Sequence, residues 1–290
     1  MRTPIYLFLA FALVASCVKK KIEPEETTIP VGVTPMGKLN LLLGSVYKEG
    51  GEYRDFEMFP DTGLSAQSIA YGTAAGDLVI LSEFRYFVHH MVLFKANGDS
   101  VSLQDSIFVV RNTPEYRYDN TVLQNIPEGS YTKITFYIGA VDAPALTMLR
   151  KKAPEFFLDN NNYDFLYFRG LYQNKDTAAV VATPAKAWKK VEWSLASPSN
   201  PEEPYSRKVT CPLFAPIAVK SGENPLYLHV RVNILGLFGL ENQATSHLID
   251  IKTIPIGRFR KSSDLLYENL FVSNPIGTSE MFVNDHIHPN

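Results

Sequence analysis

Cysteine is nearly missing: Cys17 and Cys211 are the only two in 290 residues. A multi-bridge disulfide scaffold and a Cys-rich zinc site are both excluded. Charge of one sign is missing too. The formal net charge of −2 gives no field suited to holding nucleic acid, so no nucleic-acid partner is expected. Tryptophan occurs twice against 15 tyrosines and 18 phenylalanines, a balance that favours pleated, half-buried surfaces. Enzyme signatures are absent: there is no G-x-S-x-G elbow, no H-E-x-x-H pair, no P-loop and no Rossmann glycine pattern. These absences argue for a non-enzymatic protein, while leaving open paired carboxylates that need not be close in sequence.

Apolar runs are short. Ile5 to Val14 follows the positive end made by Met1 and Arg2, and it falls short of the about 20 residues that cross a ~30 Å hydrocarbon core. A positive end, an apolar run of this length and small residues before a cut site make a signal peptide. Here the cut site reads Val14-Ala15-Ser16-Cys17, which resembles the bacterial lipobox. The resemblance implies removal of residues 1–16, acylation of Cys17 and attachment to a membrane through lipid; the alternative is an ordinary secretory signal with a chance cysteine. Several acyl chains, at ~0.8 kcal/mol per buried CH₂, hold a membrane far better than one myristoyl group. Val18 follows the cysteine where an inner-membrane retention signal has aspartate, so outer-membrane attachment is expected, facing the periplasm or the cell surface. Residues 17–36 carry Lys19, Lys20, Lys21, Glu23, Glu25 and Glu26 with little to bury, and read as a flexible tether. With Cys17 acylated, Cys211 has no partner in the chain and reads as a small buried hydrophobe.

What is present in residues 37–290 is period-2 patterning over one domain. Leu226, Leu228, Val230, Val232 and Ile234 alternate with Tyr227, His229, Arg231 and Asn233, a half-buried strand. Ile134, Phe136 and Ile138 alternate in the same way, and Phe84–Phe94 is apolar on both faces, as a central strand is. Further strands are expected over Leu39–Val46, Val101–Val110, Phe165–Tyr172, Trp188–Leu195 and Leu248–Ile254. Asn97-Gly98 is a hairpin signal, and Asp142 caps a short helix from Pro144 to Lys152. A second short helix is expected from Ser263. The order of elements predicts an all-β chain, an antiparallel β-sandwich or partly closed barrel with one or two short helical inserts.

The run Phe84-Arg85-Tyr86-Phe87-Val88-His89-His90-Met91-Val92-Leu93, followed by Asn97-Gly98, resembles the "FRYYISNIKL…NG" strand of the MbnP-like family. Ile126 to Gly139 is similar to its "IPAGTYTKIRFTIGVD" element, and Leu158-Asp159 to its "LDP". Leu228 to Phe238 resembles "DVNKLF", and Met281 to Asn290 resembles the "MF…DH-HN" tail. The matches run from about Leu39 to the C-terminus in the family's order. The resemblance implies a periplasmic, copper-binding protein, here of the lipoprotein branch widespread in Bacteroidetes. Two departures bear on chemistry. The family's Trp-rich segment, whose tryptophan can become an oxidised copper ligand, is replaced by Tyr163–Tyr172 with no tryptophan, and Ser194 stands for the histidine of "FHLG". The oxidised-tryptophan mechanism therefore does not carry over.

His286 and His288 are two apart, so an extended segment points both rings one way, which suits copper, zinc or nickel. They need a further donor, and Asp285 is placed to orient one ring. The alternative is that both simply hydrogen-bond to the fold. His89 and His90 are consecutive, so a regular strand would turn them to opposite faces; one could still meet the C-terminal pair, or each could be a hydrogen-bonded core residue. His229 reads as solvated beside Arg231. Asp159, Asn161 and Asp164 form an oxygen-rich run that would suit Ca²⁺ or an ordinary turn. Tyr163, Phe165, Tyr167, Phe168 and Tyr172 would serve as a ligand platform or as core. Three functions compete: a lipid-anchored binding protein with copper as its first candidate, a surface interaction or glycan-binding lipoprotein without metal, and an uncharacterised hydrolase.

Overall fold

Alternation of apolar and polar residues over long stretches builds strands on two sheets. The computed structural model describes residues 35–60, 68–159, 162–174, 188–196, 206–240, 246–259, 265–271, 279–284 and 286–289. One sheet joins β1 (Met36–Glu49), β2 (Glu52–Asp55), β6 (Tyr118–Pro127), β11 (Tyr227–Asn233), β13 (Phe282–Val283) and β14 (Ile287–His288). The other joins β3 (Tyr71–Gly72), β4 (Leu78–Lys95), β5 (Ser100–Asn112) and β7 (Gly129–Ile138) with β8 (Asp164–Gln173), β9 (Lys189–Ala196), β10 (Arg207–Val219) and β12 (Ile256–Phe259). Both sheets are open, so the sandwich form holds and the barrel form does not. Buried side chains from both, Leu39, Leu41 and Val230 on one and Phe84, Phe87 and Ile134 on the other, form one hydrophobic cluster. Phe282 crosses between the layers, its ring centroid 6.0 Å from Tyr86 and 5.4 Å from Phe136.

The apolar run around Phe84 forms β4, which is paired on both edges, with β5 along one and with β8 and then β7 along the other, as expected of a central strand apolar on both faces. β5 folds back from β4 through Asn97-Gly98, with Gly98 at φ 93°. The chain then crosses to the first sheet. Asn112 locks that corner: its carbonyl accepts from the Ser45 hydroxyl at 2.7 Å, and its amide donates to Arg117 O at 2.8 Å. Helix α1 (Ala143–Lys152) begins where Asp142 Oδ1 accepts from Ala145 N at 2.9 Å, and its last turn holds Arg150, Lys151 and Lys152. A second helix, α2, covers Leu265–Leu270.

Two expectations need correction. The sheets are not purely antiparallel, because β1 pairs with β11 and β9 with β12 in parallel. Each of those pairs is joined by a long excursion through other strands, which frees it from hairpin geometry. Leu248–Ile254 is not a strand; Ile251–Thr253 is a 3₁₀ turn capped by Asp250, whose side chain accepts from Lys252 N. Only Ile251 of that turn is buried, so its apolar residues do not alternate against a neighbour.

Candidate metal centre

The C-terminal tail is fixed to the sandwich before it reaches its histidines. Ser279 Oγ accepts from Met281 N and Phe282 N, Met281 and Phe282 are buried, and Asn233 N donates to Met281 O at 2.7 Å. Beyond β13, Asn284 staples three segments: its amide donates to His229 O at 2.6 Å and to His286 O at 3.1 Å, and its carbonyl accepts from Phe214 N at 2.6 Å. β14 then pairs antiparallel with β11, Ile287 opposite Leu228 and His288 opposite Tyr227.

This return places His286 and His288 over His229. One ligand atom from each of the three lies within 4.8 Å of the others. The His229 and His288 Nε2 atoms are 3.0 Å apart, and the ring centroids of His229 and His286 are 4.0 Å apart. His288 Nδ1 lies 2.8 Å from Pro289 O, which can only accept; Nδ1 therefore carries the proton and Nε2 the lone pair. That lone pair faces His229 Nε2, so the two nitrogens must share either a proton or a cation. Such an arrangement suits metal ligation.

The reading of His229 as solvated was wrong. It is 6% exposed, and Arg231 and Asn233 in the same register are also buried, so β11 is buried on both faces. Alternation tells which face meets the core; it does not tell whether a tail covers the other. The cleft beside His229 and His286 is lined by Tyr53, Asp55, Tyr118 and Arg231. Arg231 Nη1 donates to Asp55 Oδ1, and Tyr118 OH donates to Asp55 Oδ2 at 2.6 Å, so that carboxylate is engaged on both oxygens. Sequence reasoning missed Asp55, Tyr118 and Arg231; the one signal was that Arg231 shares His229's alternate register.

Burial first, then the neighbouring His286 and Arg231, push the His229 imidazole down to about 4. Burial and Arg231 lower His286 also. His89 is likewise pushed down to about 4, by burial and then by His90. Neutral imidazole is the form that binds metal. In the metal-free protein these shifts set a pH dependence. Between about 6.5 and about 4 the unfolded chain takes up protons that folded His89 and His229 refuse, so stability is full above about 6.5 and is lost as pH falls toward about 4. Carboxylates contribute little above about pH 5. Thermal melts in chelator are therefore expected to fall already between pH 6.5 and pH 5; a flat melting temperature there contradicts these assignments.

The other predicted residues do not join the triad. His89 and His90 line a separate cleft, described below. Asp159 spends its oxygens on Asn162, N–H at 2.9 Å and side-chain amide at 2.6 Å, while Asp164 is buried and accepts from Arg258 Nε at 2.7 Å. The two described carboxylates of the calcium run thus hold separate partners; Asn161 and Asp285 lie outside the described residues. Phe165, Phe168, Tyr163 and Tyr172 are core, and Arg85 sits over the Tyr167 ring at 4.2 Å, so they form no platform. Trp193 is buried among Phe168 and Phe238, its Nε1 donating to Ile254 O at 2.6 Å. Cys211 is buried as expected, and burial pushes its thiol up to about 12.

Residues 57–255 match the sequence model of the MbnP family. The chain belongs to the MbnP family. A solved structure, MbnP from Methylosinus trichosporium, is 11% identical, with a match that covers 88% of this chain and 98% of that chain at a TM-score of 0.43. A search of curated proteins finds no significant match. As an MbnP-family chain, this one carries its imidazole cluster partly outside the matched span, since His286 and His288 lie beyond residue 255. No tryptophan is among the residues lining the cleft at His229 and His286.

Proposed function

We propose that this MbnP-family protein is a lipid-anchored extracytoplasmic copper-binding protein, held by Cys17 and binding through His229, His286 and His288. The single observation that carries the reading is the convergence of three imidazoles within 4.8 Å. The donor set also suits copper better than a harder ion. It holds three nitrogens, and the nearby carboxylate, Asp55, is already bonded to Arg231 and Tyr118. Oxygen-seeking Ca²⁺ and Mg²⁺ are poorly served there. A guanidinium two residues along β11 also disfavours accumulation of positive charge, which points to the monovalent state. The residues here supply neutral nitrogens, a fixed His288 tautomer and a tail stapled by Asn284. Outer-membrane attachment, facing the periplasm or the surface, accords with Cys17-Val18.

The test is metal analysis of the untagged full chain in detergent. One equivalent of copper is expected to disappear in a His286→Ala/His288→Ala variant, and Cys17→Ala is expected to release the protein from membranes. Unchanged copper content in the double variant overturns the metal reading; unchanged membrane retention overturns the anchor.

A second reading rests on a different cleft, where Lys48, Tyr53 and Glu280 surround Gly50, Gly51 and Gly236. Asn233 Oδ1, buried beneath it, has no hydrogen-bond partner among the described residues. Small residues and an idle acceptor suit a sugar hydroxyl, as in a glycan-binding surface lipoprotein. Retention on a glycan array, lost in Asn233→Leu, distinguishes it.

A further inference from the structure

β4 is irregular where its two histidines lie. Consecutive residues of a regular strand face opposite sides. Here the pairing of β4 with β5 shifts register between His89 and Met91, and its pairing with β7 shifts between His89 and Val92. His90 takes φ 49°, the left-handed region, and His90 and Met91 together stand opposite the single residue Phe136 of β7, a bulge on that edge. The bulge turns both rings together: the two Nδ1 atoms are 2.6 Å apart and the ring centroids 4.9 Å apart. The expectation that these two side chains face opposite sides is thereby overturned.

The surroundings make this a built cleft. His89 is 3% exposed, and its Nε2 has no hydrogen-bond partner among the described residues. The His90 side chain is 53% exposed. Ile107, Asp142 and Met148 complete the walls. Asp142 Oδ1 is committed to capping α1, and Oδ2 faces His90 Nε2 at 3.5 Å. That carboxylate favours a proton on His90 Nε2, which leaves the lone pair on Nδ1. The proton between the two rings then belongs to His89 Nδ1, and His89 Nε2 is a bare, buried acceptor.

We propose that His89 and His90 form a second metal site, for a monovalent coinage-metal ion held in line between their two Nδ1 atoms. Donor count selects the ion. Zn²⁺ takes four protein donors in a closed site and Ca²⁺ takes six or more oxygens, whereas this cleft offers two nitrogens, with Met148 among the residues that line it. A filled d shell and single charge make two collinear nitrogens sufficient, and a thioether adds a soft contact. Binding moves the His89 proton from Nδ1 to the idle Nε2, so the charge gained is that of the ion and no proton is released. Metal–imidazole bonds near ~2 Å require the nitrogens to open to about 4 Å. Half-exposed His90 is the ring free to move. The cleft shares no lining residue with the triad's, so this site stands without the preceding proposal.

The untagged full chain in detergent is titrated anaerobically with Cu(I) against a chromophoric chelator, and the copper edge is recorded. The His286→Ala/His288→Ala variant is expected to keep one equivalent, with the intense edge feature of two-coordinate Cu(I). Adding His90→Asn, which tolerates the left-handed backbone and removes the donor, is expected to abolish that equivalent while the circular dichroism spectrum stays unchanged. A single equivalent in the wild type that survives the tail variant and is lost with His90→Asn supports this site and removes the triad. No copper in the tail variant, copper that survives His90→Asn, or an edge of three or more ligands overturns the inference.

Discussion

Replacing His229 with alanine is expected to lower copper affinity at the proposed C-terminal centre by about 100-fold or more, beyond the 10–100-fold typical of losing a residue that only orients a ligand. His229 is the member of the triad with least freedom. It is 6% exposed, it projects from a strand paired with β1 on one side and the tail on the other, and Asn284 holds its carbonyl. His288, by contrast, sits on the last short strand and is exposed. Without His229 the two tail rings remain 5.6 Å apart, centroid to centroid, with no buried nitrogen between them. The fold tolerates the change, because the His229 ring is outside the hydrophobic cluster and charging it is unfavourable there. Competition with a Cu(I) chelator measures the effect; an affinity within threefold of wild type removes His229 from the centre.

Gly170→Ala is the largest expected stability change. A Cβ at Gly170 would lie 2.1 Å from Ile80 O and 2.7 Å from Leu81 Cα, both backbone atoms of the central strand. Leu81 pairs with Gly170, and the β4–β8 register shifts immediately afterwards, between Leu81 and Glu83. No flexible side chain can yield there, so β8 must move from β4. Overpacking of this kind costs about 3 kcal/mol, which for a domain of this size lowers the melting temperature by roughly 6–12 °C. The copper bound at the triad by the folded fraction is expected to stay unchanged, since β8 and the triad lie on different sheets. A variant that melts with wild type contradicts the β4–β8 pairing.

Local pattern made much of the sandwich legible. β4, β7 and β11 follow from runs whose apolar residues have one geometric solution, and Asn97-Gly98 and Asp142 set a hairpin and a helix start through chemistry confined to a few neighbours. The parallel pairings were not legible, because they depend on where a strand returns after a long excursion. Leu248–Ile254 misled through composition alone: its apolar residues have no facing strand. The site was half visible. His286 and His288 were read correctly as pointing one way, yet the third imidazole they meet, His229, was hidden in a strand that looked solvent-facing. His89 and His90 were assigned to opposite faces by a rule that holds only without a bulge, and the left-handed turn at His90 has no composition signature, since histidine is no glycine.

A tail of the chain closes a three-imidazole cluster onto β11. Crystals grown with Cu(I) and measured at the copper edge test it most directly. An anomalous peak is expected about 2 Å from one nitrogen of each of His229, His286 and His288. Copper-loaded crystals in which that position is empty, or in which the tail rings lie away from His229, would contradict it.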